Sequence, residues 1–358
     1  MSRPTIAEIA RRAGVSKMTV SRVINDRPGV SPKLRARVQR LIARMGYVPS
    51  AAARSLSMGR SDVIGMFVPD IISEWITPLI LGVGEAAAAL GFQMLLRTTG
   101  RGAAFAPNAH ELLIRSEMVS GLIAASWRVP ITFAQEMARH GTPIVVIDGY
   151  ARPNDVLWVS ATDRAGAREI TRHLIGLGHQ SIALIGGGES YLAQQRLAGF
   201  LDALKDGGLL LQPGLIVQGD FTRESGYACA TRLLTRADRP TAIFAANDPM
   251  AVGVLQAAHD LRLRLPQDLS VVGFDDTLAA GTYPPLTTAA RDYKEMGRAA
   301  MRLLAERLNS HARSDPPIQL DIPTRLVIRQ STALLAPQTR RARRPLKGGE
   351  PATAQITR

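Results

Sequence analysis

The sequence is poor in cysteine, with Cys229 as the single thiol among 358 residues. One cysteine excludes a disulfide framework and a zinc site built from cysteines, and it is typical of a reducing compartment. The six histidines are scattered without metal-ligand spacing. The usual patterns of nucleotide-binding loops, serine nucleophiles and zinc peptidases are also missing. The sequence therefore predicts no catalytic residues, no metal site and no cofactor.

Long apolar runs are lacking too. No stretch approaches the roughly 18 consecutive apolar residues that a membrane-spanning helix needs. The start of the chain carries Glu8, Arg11 and Arg12 in place of the apolar segment of an export signal. We therefore expect a soluble, cytoplasmic protein. Hydrophobic residues make up 46% of the chain, which is enough for a large buried core.

Acidic residues are scarce at both ends of the chain. Residues 1–60 hold 13 basic and 2 acidic side chains, and residues 337–358 hold 6 and 1. Because the whole chain has a formal net charge of +14, the segment between these ends is close to neutral. Basic ends suit a polyanionic partner such as nucleic acid. We expect the tail 337–358 to be disordered and to add nonspecific DNA affinity; a specific partner motif is the alternative.

Residues 1–49 predict three short helices. Thr5 and Glu8 have the spacing of a capping box at the start of the first helix, and the turn 14–16 separates it from the second. Ser31 precedes a proline at the start of the third helix, which ends at Gly46. Two helices joined by a short glycine-containing turn, in a strongly basic segment, indicate a helix-turn-helix DNA-binding domain.

Residues 50–61 form a linker that contains a short alanine-rich stretch. One or two helical turns are marginal in water, so this stretch should be coil until another contact stabilises it.

From residue 62 onward, short apolar runs alternate with amphipathic stretches. This pattern predicts parallel sheets covered by helices on both faces. The predicted strands are 63–68, 93–98, 121–125, 144–147, 182–186, 215–218, 242–246 and 269–274, with two short strands near 318–328. The predicted helices are 76–90, 108–117, 132–140, 163–177, 191–206, 222–235, 248–260 and 294–309. One large sheet or two lobes would fit; the series restarts after an irregular stretch at 148–162, which favours two lobes.

Several separate segments resemble the LacI (lactose-repressor) family of transcription regulators. They are TIAEIARRAGVSKMTVSRVIN at 5–25, GYVPSAAARSL at 46–56, RLAGF at 196–200, GDFTRESGY at 219–227, PTAIFAANDPMAVG at 240–253 and DLSVVGFDDT at 268–277. The resemblance implies an all-α helix-turn-helix headpiece and an α/β two-lobed core like that of periplasmic binding proteins, with parallel sheets flanked by helices. We expect a core at 62–336, with lobe 1 at 62–161 and 291–322 and lobe 2 at 162–290 and 323–336.

The resemblance also implies DNA contacts. The second helix would lie in the major groove, where its N-terminal side chains face the base edges. The expected base contacts are Lys17, Met18 and Arg22, and phosphate contacts by Lys17 and Arg22 are the alternative. The expected phosphate contacts are Thr19, Ser21, Asn25 and Arg54. In the family, residues 51–57 become a hinge helix on operator DNA and Leu56 enters the minor groove; an ordinary linker residue is the alternative.

Polar and aromatic residues follow several predicted strands, at the edge where parallel α/β lobes bind ligands. Carboxylates, an amide, an arginine and aromatic rings together suit a polyhydroxylated ligand. The expected effector-binding residues are Ser73, Trp75, Trp127, Asp148, Arg196, Phe221, Asn247 and Asp275. A helix-surface ion pair is the alternative for Arg196, and strand-end caps are the alternative for Asn247 and Asp275. We expect Asp248 and Asp276 to be caps.

The sequence and its resemblance thus predict a sequence-specific transcriptional regulator, most simply a repressor. It would bind a palindromic operator as a homodimer under the control of a sugar or sugar acid, and the resemblance implies dimer contacts by helices near 76–90 and 248–260. The tail has no leucine heptad, so we expect no coiled-coil tetramer. The alternative is a sugar-binding protein or a sugar-metabolising enzyme without operator binding.

Overall fold

The computed structural model describes residues 4–47, 61–100, 118–125, 129–309 and 317–335. Four predictions lie outside the described residues: the linker up to residue 60 with Arg54 and Leu56, the helix at 108–117, Trp127, and the tail 337–358.

The N-terminal part is a three-helix headpiece. Its helices are α1 (Ile6–Ala13), α2 (Lys17–Ile24) and α3 (Pro32–Met45), and they enclose a small core that includes Ile9, Val20 and Val38. The α1 helix begins at Thr5, whose hydroxyl oxygen accepts from the Glu8 amide at 3.3 Å. The Glu8 carboxylate accepts from Arg12 at 3.2 Å, so only the threonine half of the predicted capping box is seen. The predicted helix-turn-helix is confirmed.

Two six-stranded sheets form the rest of the described chain. The first has the order β11-β5-β4-β3-β1-β2, and the second has the order β12-β10-β9-β8-β6-β7. The strands of the first sheet are β1 (Val63–Val68), β2 (Gln93–Thr98), β3 (Gly121–Ala125), β4 (Ile144–Ile147), β5 (Leu157–Ala161) and β11 (Gln319–Ile322). The strands of the second are β6 (Ile182–Gly186), β7 (Ile216–Gln218), β8 (Ala242–Ala245), β9 (Ser270–Asp275), β10 (Thr287–Ala290) and β12 (Arg325–Val327). Neighbouring strands are parallel except for the antiparallel β10–β12 pair.

Helices cover both sheets. Those on the first sheet are α4 (Ile76–Ala89), α5 (Ile131–Arg139) and α10 (Tyr293–Asn309); those on the second are α6 (Asp163–Gly176), α7 (Tyr191–Asp206), α8 (Arg223–Leu234) and α9 (Asp248–Asp260). We call each sheet with its helices a lobe. The α4 and α10 helices touch through their backbones: a Cβ atom on Gly82 would lie 2.0 Å from the carbonyl oxygen of Lys294. The predicted two-lobed α/β architecture is confirmed.

The chain crosses between the lobes three times. It leaves the first lobe between β5 and α6, returns between β10 and α10, and crosses again between β11 and β12. The first and third crossovers are joined because the Thr324 amide donates to the Thr162 hydroxyl at 2.9 Å. Side chains on the crossovers therefore lie between the two lobes.

The prediction of an irregular stretch at 148–162 was wrong, because β5 occupies 157–161 and is fully buried. Strand β10 was not predicted either. Its two threonines are buried and satisfied by hydrogen bonds: the Thr287 amide donates to the Ser331 hydroxyl, and the Thr288 hydroxyl donates to Asp248, both at 2.8 Å. Within the described residues, no helix is long and apolar enough to cross a membrane.

Candidate functional site

Helix α2 presents a basic surface to solvent. The Ser16 hydroxyl oxygen accepts from the Thr19 amide at 3.1 Å and so fixes the start of the helix. Val20 and Val23 point into the headpiece core. Lys17, Met18 and Arg22 lie on the solvent side, and Met18 is 66% exposed. Two cations and one long apolar side chain therefore project together from the first turns of α2.

The three polar residues predicted to contact phosphates lie beside this surface. The Thr19 hydroxyl is 2.9 Å from the Ser16 hydroxyl, and the Asn25 amide nitrogen donates to the Ser21 hydroxyl at 3.3 Å. These contacts hold the polar groups in place at the edge of the exposed face.

Arg196, near the start of α7, is one of the most deeply buried charged residues in the core, with 2% of its surface exposed. Its Nε donates to Asp163 at 2.8 Å and its Nη2 donates to Asp275 at 2.9 Å, while Nη1 donates to the carbonyl of Ala246. The guanidinium lies 4.0 Å from the ring centroid of Phe274. Arg196 is thus not the helix-surface ion pair that the sequence left open.

A second buried arginine, Arg291, lies on the crossover between β10 and α10. Its Nη2 donates to both carboxylate oxygens of Asp148, each at 2.8 Å, and its Nη1 donates to the Tyr293 hydroxyl at 3.0 Å. Asp148 also accepts from the Ser160 hydroxyl at 2.8 Å. Arg291 lies 3.4 Å from Asp163, so it joins Asp148 of the first lobe to the Arg196 group of the second. We call Asp148, Asp163, Arg196, Asp275 and Arg291 the buried charge network.

Burial perturbs the carboxylates in this region. It raises the pKa of Asp275, although Arg196 and Arg291 act in the opposite direction. Burial, with the nearby charge of Asp275, raises the pKa of Asp248 to about 7. For Arg291, burial alone would lower the pKa, but the charges of Asp148 and Asp163 raise it well above its ordinary value. Both arginines of the network are therefore charged at neutral pH.

Asn247 and Phe221 lie close together at the ends of the second-lobe strands. The side-chain oxygen of Asn247 accepts from the Met250 amide at 2.9 Å, which caps α9, and its nitrogen donates to the Phe221 carbonyl at 2.9 Å. Phe221 has a positive φ of 68°, and its ring lies directly on Gly187, where a Cβ atom would come within 2.0 Å of the ring. Asn247 thus acts as a cap that also holds Phe221, whose ring is 5.9 Å from the Arg196 guanidinium.

The loop after β1 brings Trp75 towards the same region. Asp70 accepts from the Ser73 amide at 2.7 Å and from the Ser73 hydroxyl at 3.0 Å, and this turn precedes Trp75. The ring centroid of Trp75 is 5.7 Å from that of Tyr293, the tyrosine that contacts Arg291.

Asp248 and Asp276 are engaged within the chain, in line with the prediction that they are caps. Asp248 accepts from the Thr277 amide and from the Thr288 hydroxyl, both at 2.8 Å. Asp276 pairs with Arg329 at 2.7 Å.

A second set of contacts joins the lobes at Tyr191, the first residue of α7. Its amide donates to the carbonyl of Tyr150 at 2.9 Å, and its hydroxyl accepts from Arg152 at 3.1 Å. These contacts and the Arg152–Asp321 ion pair at 2.7 Å fix this corner between the two lobes. A cavity of about 420 Å³ lies beside it, lined by Tyr150, Ala151, Arg152, Glu189, Tyr191 and Gln194.

Of the predicted effector residues, the structure brings Asp148, Arg196 and Asp275 into one network, with Phe221 and Asn247 next to Arg196. Sequence reasoning missed Asp163 and Arg291, because both lie on crossover segments and not at the strand ends that were searched. The sequence signal that would have found them is a charged residue directly beside a buried strand, at each point where the chain changes lobe.

The fold and the site define a two-lobed binding core joined to a helix-turn-helix headpiece. Residues 5–50 match the family model for bacterial regulatory proteins of the lacI family, and residues 171–332 match the model for a periplasmic binding protein-like domain. Catabolite control protein A of Priestia megaterium is 33% identical over 92% of this chain and 99% of its own length. The HTH-type transcriptional regulator DegA of Bacillus subtilis is 36% identical over 92% of this chain and 98% of its own length.

Solved structures agree with these relatives. The lac repressor dimer bound to operator and the anti-inducer ONPF has a TM-score of 0.82 and 29% identity, covering 93% of this chain and all of that one. The complex of the transcriptional regulator CelR with cellobiose has a TM-score of 0.70 and 33% identity, covering 92% of this chain and all of that one. The chain belongs to the LacI family. It is a transcriptional regulator with a DNA-binding domain and an effector-binding domain, and its relatives are named as regulators, not enzymes.

Proposed function

We propose that this chain is a repressor that binds a palindromic operator as a homodimer, with an affinity controlled by a sugar or sugar acid. The observation that carries the proposal is the exposed face of α2, where Lys17, Met18 and Arg22 project from a helix-turn-helix on the same chain as a two-lobed core. A binding protein or a sugar enzyme without operator binding would have no use for that face.

In this proposal α2 lies in the major groove. Lys17 and Arg22 donate to guanine N7 and O6, and Met18 contacts a thymine methyl group. The phosphate contacts are Thr19, Ser21, Asn25 and Arg54. Leu56 enters the minor groove at the centre of the operator, where an apolar wedge unstacks a base step and bends the duplex.

The effector lies between the lobes. Its proposed binding residues are Ser73, Trp75, Trp127, Asp148, Arg196, Phe221, Asn247 and Asp275. The proposed boundaries are a headpiece at 1–49, a linker at 50–61, a core at 62–336 and a tail at 337–358. The complex of CelR with cellobiose supports a carbohydrate as the class of effector.

The homodimer is proposed through α4 and α9. Leu81 on α4 is exposed and supports this half of the interface. On α9, Gln256 and Asp260 already accept hydrogen bonds from Arg223 and Tyr227 of the same chain. We therefore assign the apolar part of the interface to α4.

Control follows from the difference in effector affinity between two arrangements of the lobes. A coupling free energy of about 1–3 kcal/mol changes operator affinity about 5- to 150-fold. Because its partner is the bacterial genome, we propose that the protein acts in the cytoplasm.

A gel-shift titration on the DNA upstream of the chain's own coding sequence tests the proposal. The wild type should bind with a salt-sensitive affinity, and Arg22→Ala should weaken that binding by about 1–3 kcal/mol if Arg22 reads a guanine. Arg139→Ala is the matched control, since Arg139 is an exposed arginine on α5 of the core. Turnover of a sugar without DNA binding would favour the enzyme alternative.

A further inference from the structure

Two buried polar atoms of the charge network form no hydrogen bond with the residues that the structure describes. They are Oδ2 of Asp163 and Nε of Arg291, and both side chains are only 1% exposed. Asp163 Oδ2 faces Arg291 Nη2 at 3.4 Å, which is longer than the 2.8 Å contacts that these residues make elsewhere. Leaving a buried donor and a buried acceptor without partners lowers stability.

A free acceptor and a free donor on adjacent residues select for a particular chemical group. A hydroxyl donates one hydrogen bond and accepts another, so it can satisfy both atoms. A carboxylate only accepts and would face the Asp163 oxygen without a proton, whereas an ammonium group only donates and would leave Arg291 Nε unpaired.

The charges of the network favour the same choice. Three carboxylates, Asp148, Asp163 and Asp275, surround the two guanidiniums of Arg196 and Arg291. The network therefore already has one more negative than positive charge. A ligand carboxylate would add a further negative charge in a buried site, where repulsion is stronger than in water.

Resting on the proposed function, we propose that the effector is an uncharged sugar. One of its hydroxyls donates to Asp163 Oδ2 and accepts from Arg291 Nε, and the site rejects uronic acids and amino sugars of the same skeleton. Because both residues are buried, the lobes must part for the sugar to enter. Trp75 and Tyr293, whose ring centroids are 5.7 Å apart, lie beside Arg291 and offer aromatic faces to the sugar ring.

Calorimetric and thermal-shift titrations of the full chain test this selectivity. The probes are glucose, galactose, mannose, xylose, ribose and cellobiose, together with glucuronate, galacturonate, glucosamine and galactosamine. At least one neutral sugar should raise the melting temperature and bind at least about tenfold more tightly than its matched acid and amine. An acid or amine that binds as tightly as its neutral counterpart would overturn the proposal, and so would the failure of every neutral sugar. A gel shift on the same preparation separates that failure from a failure of operator binding.

Asp163→Asn provides a second test. It replaces the Oδ2 acceptor by a donor and removes one negative charge, so the affinity for the neutral sugar should fall about tenfold or more and the preference over the acid should shrink. Asp202→Asn is the matched control, since Asp202 forms an exposed ion pair with Arg164 on the same lobe. An unchanged neutral-to-acid ratio in Asp163→Asn would contradict the proposal. If Asp163→Asn does not fold, the wild-type ratios decide.

Discussion

Replacing Arg196 with methionine removes the cation that holds two carboxylates of the network while keeping an apolar chain against Phe274. The guanidinium donates to Asp163 at 2.8 Å and to Asp275 at 2.9 Å, and both carboxylates are buried. Removing one partner of a buried ion pair costs about 3–5 kcal/mol, because the remaining charge is left uncompensated. For a core of this size, that loss corresponds to a fall of about 6–20 °C in Tm.

The loss should depend on pH with a definite sign. Burial already raises the pKa of Asp275, and removal of Arg196 raises it further because a compensating charge is gone. A carboxyl group whose folded pKa lies above its unfolded value destabilises the fold when it ionises, and it does not do so below the unfolded pKa. The deficit of Arg196→Met should therefore be largest at neutral pH and shrink as the pH falls towards about 4.

Scanning calorimetry of the wild type and the variant across this pH range measures the effect. Arg164→Met is the matched control, because Arg164 makes a similar pair with Asp202 at 2.7 Å, but on the surface. An exposed pair contributes little to stability, so the control should change Tm only slightly. Equal losses in the two variants, or a deficit that grows as the pH falls, would refute the reasoning.

Three further predictions concern other parts of the chain. Leu56→Ala should retain effector binding and lose most operator affinity in gel shifts, by at least about tenfold, because the minor-groove wedge is gone; unchanged operator affinity would exclude the hinge role. Deletion of 338–358 should reduce the slope of log affinity against log salt for nonspecific DNA by at most about 5, without changing operator choice; an altered operator preference would contradict this. Asp248, whose pKa is raised to about 7 by burial, should favour the wild type over Asp248→Asn increasingly as pH falls from about 8 to 5, measured as the difference in Tm. Taking this difference cancels the opposite contribution of His179, whose pKa is lowered by burial; a pH-independent difference would contradict the prediction.

Most of the helices and strands were predictable because each carries its own local signal. Apolar runs at 63–68 and 121–125 match β1 and β3, and the Ser16 and Ser31 caps mark α2 and α3. Strand β10 has no such signal, because its sequence is TTAA and its burial depends on Ser331 and Asp248, which are distant in sequence. Its position is decided by tertiary contacts, which a local pattern does not contain.

The candidate site was predictable at the strand ends and not at the crossovers. Asp148 and Asp275 lie at the ends of buried strands and were expected at the cleft, but their partner arginines were not both foreseen. Arg291 is bonded to Asp148, 143 residues away in sequence, and this pairing requires the chain to return from the second lobe to the first. Sequence spacing indicates which edge a residue occupies, whereas the charge balance of the site depends on which side chains the crossovers bring there.

The position of Arg291 connects the buried network to the lobe that follows the DNA-binding headpiece in sequence. Arg291 lies two residues before α10, and α10 packs backbone to backbone on α4 at Gly82. These two helices therefore move with the first sheet. Asp148 of the first lobe reaches Asp275 of the second through Arg291, Asp163 and Arg196. A hydroxyl bound at Asp163 and Arg291 strengthens that chain of contacts only when the lobes are together. This difference in affinity between the lobe arrangements is what an effector needs in order to change operator binding.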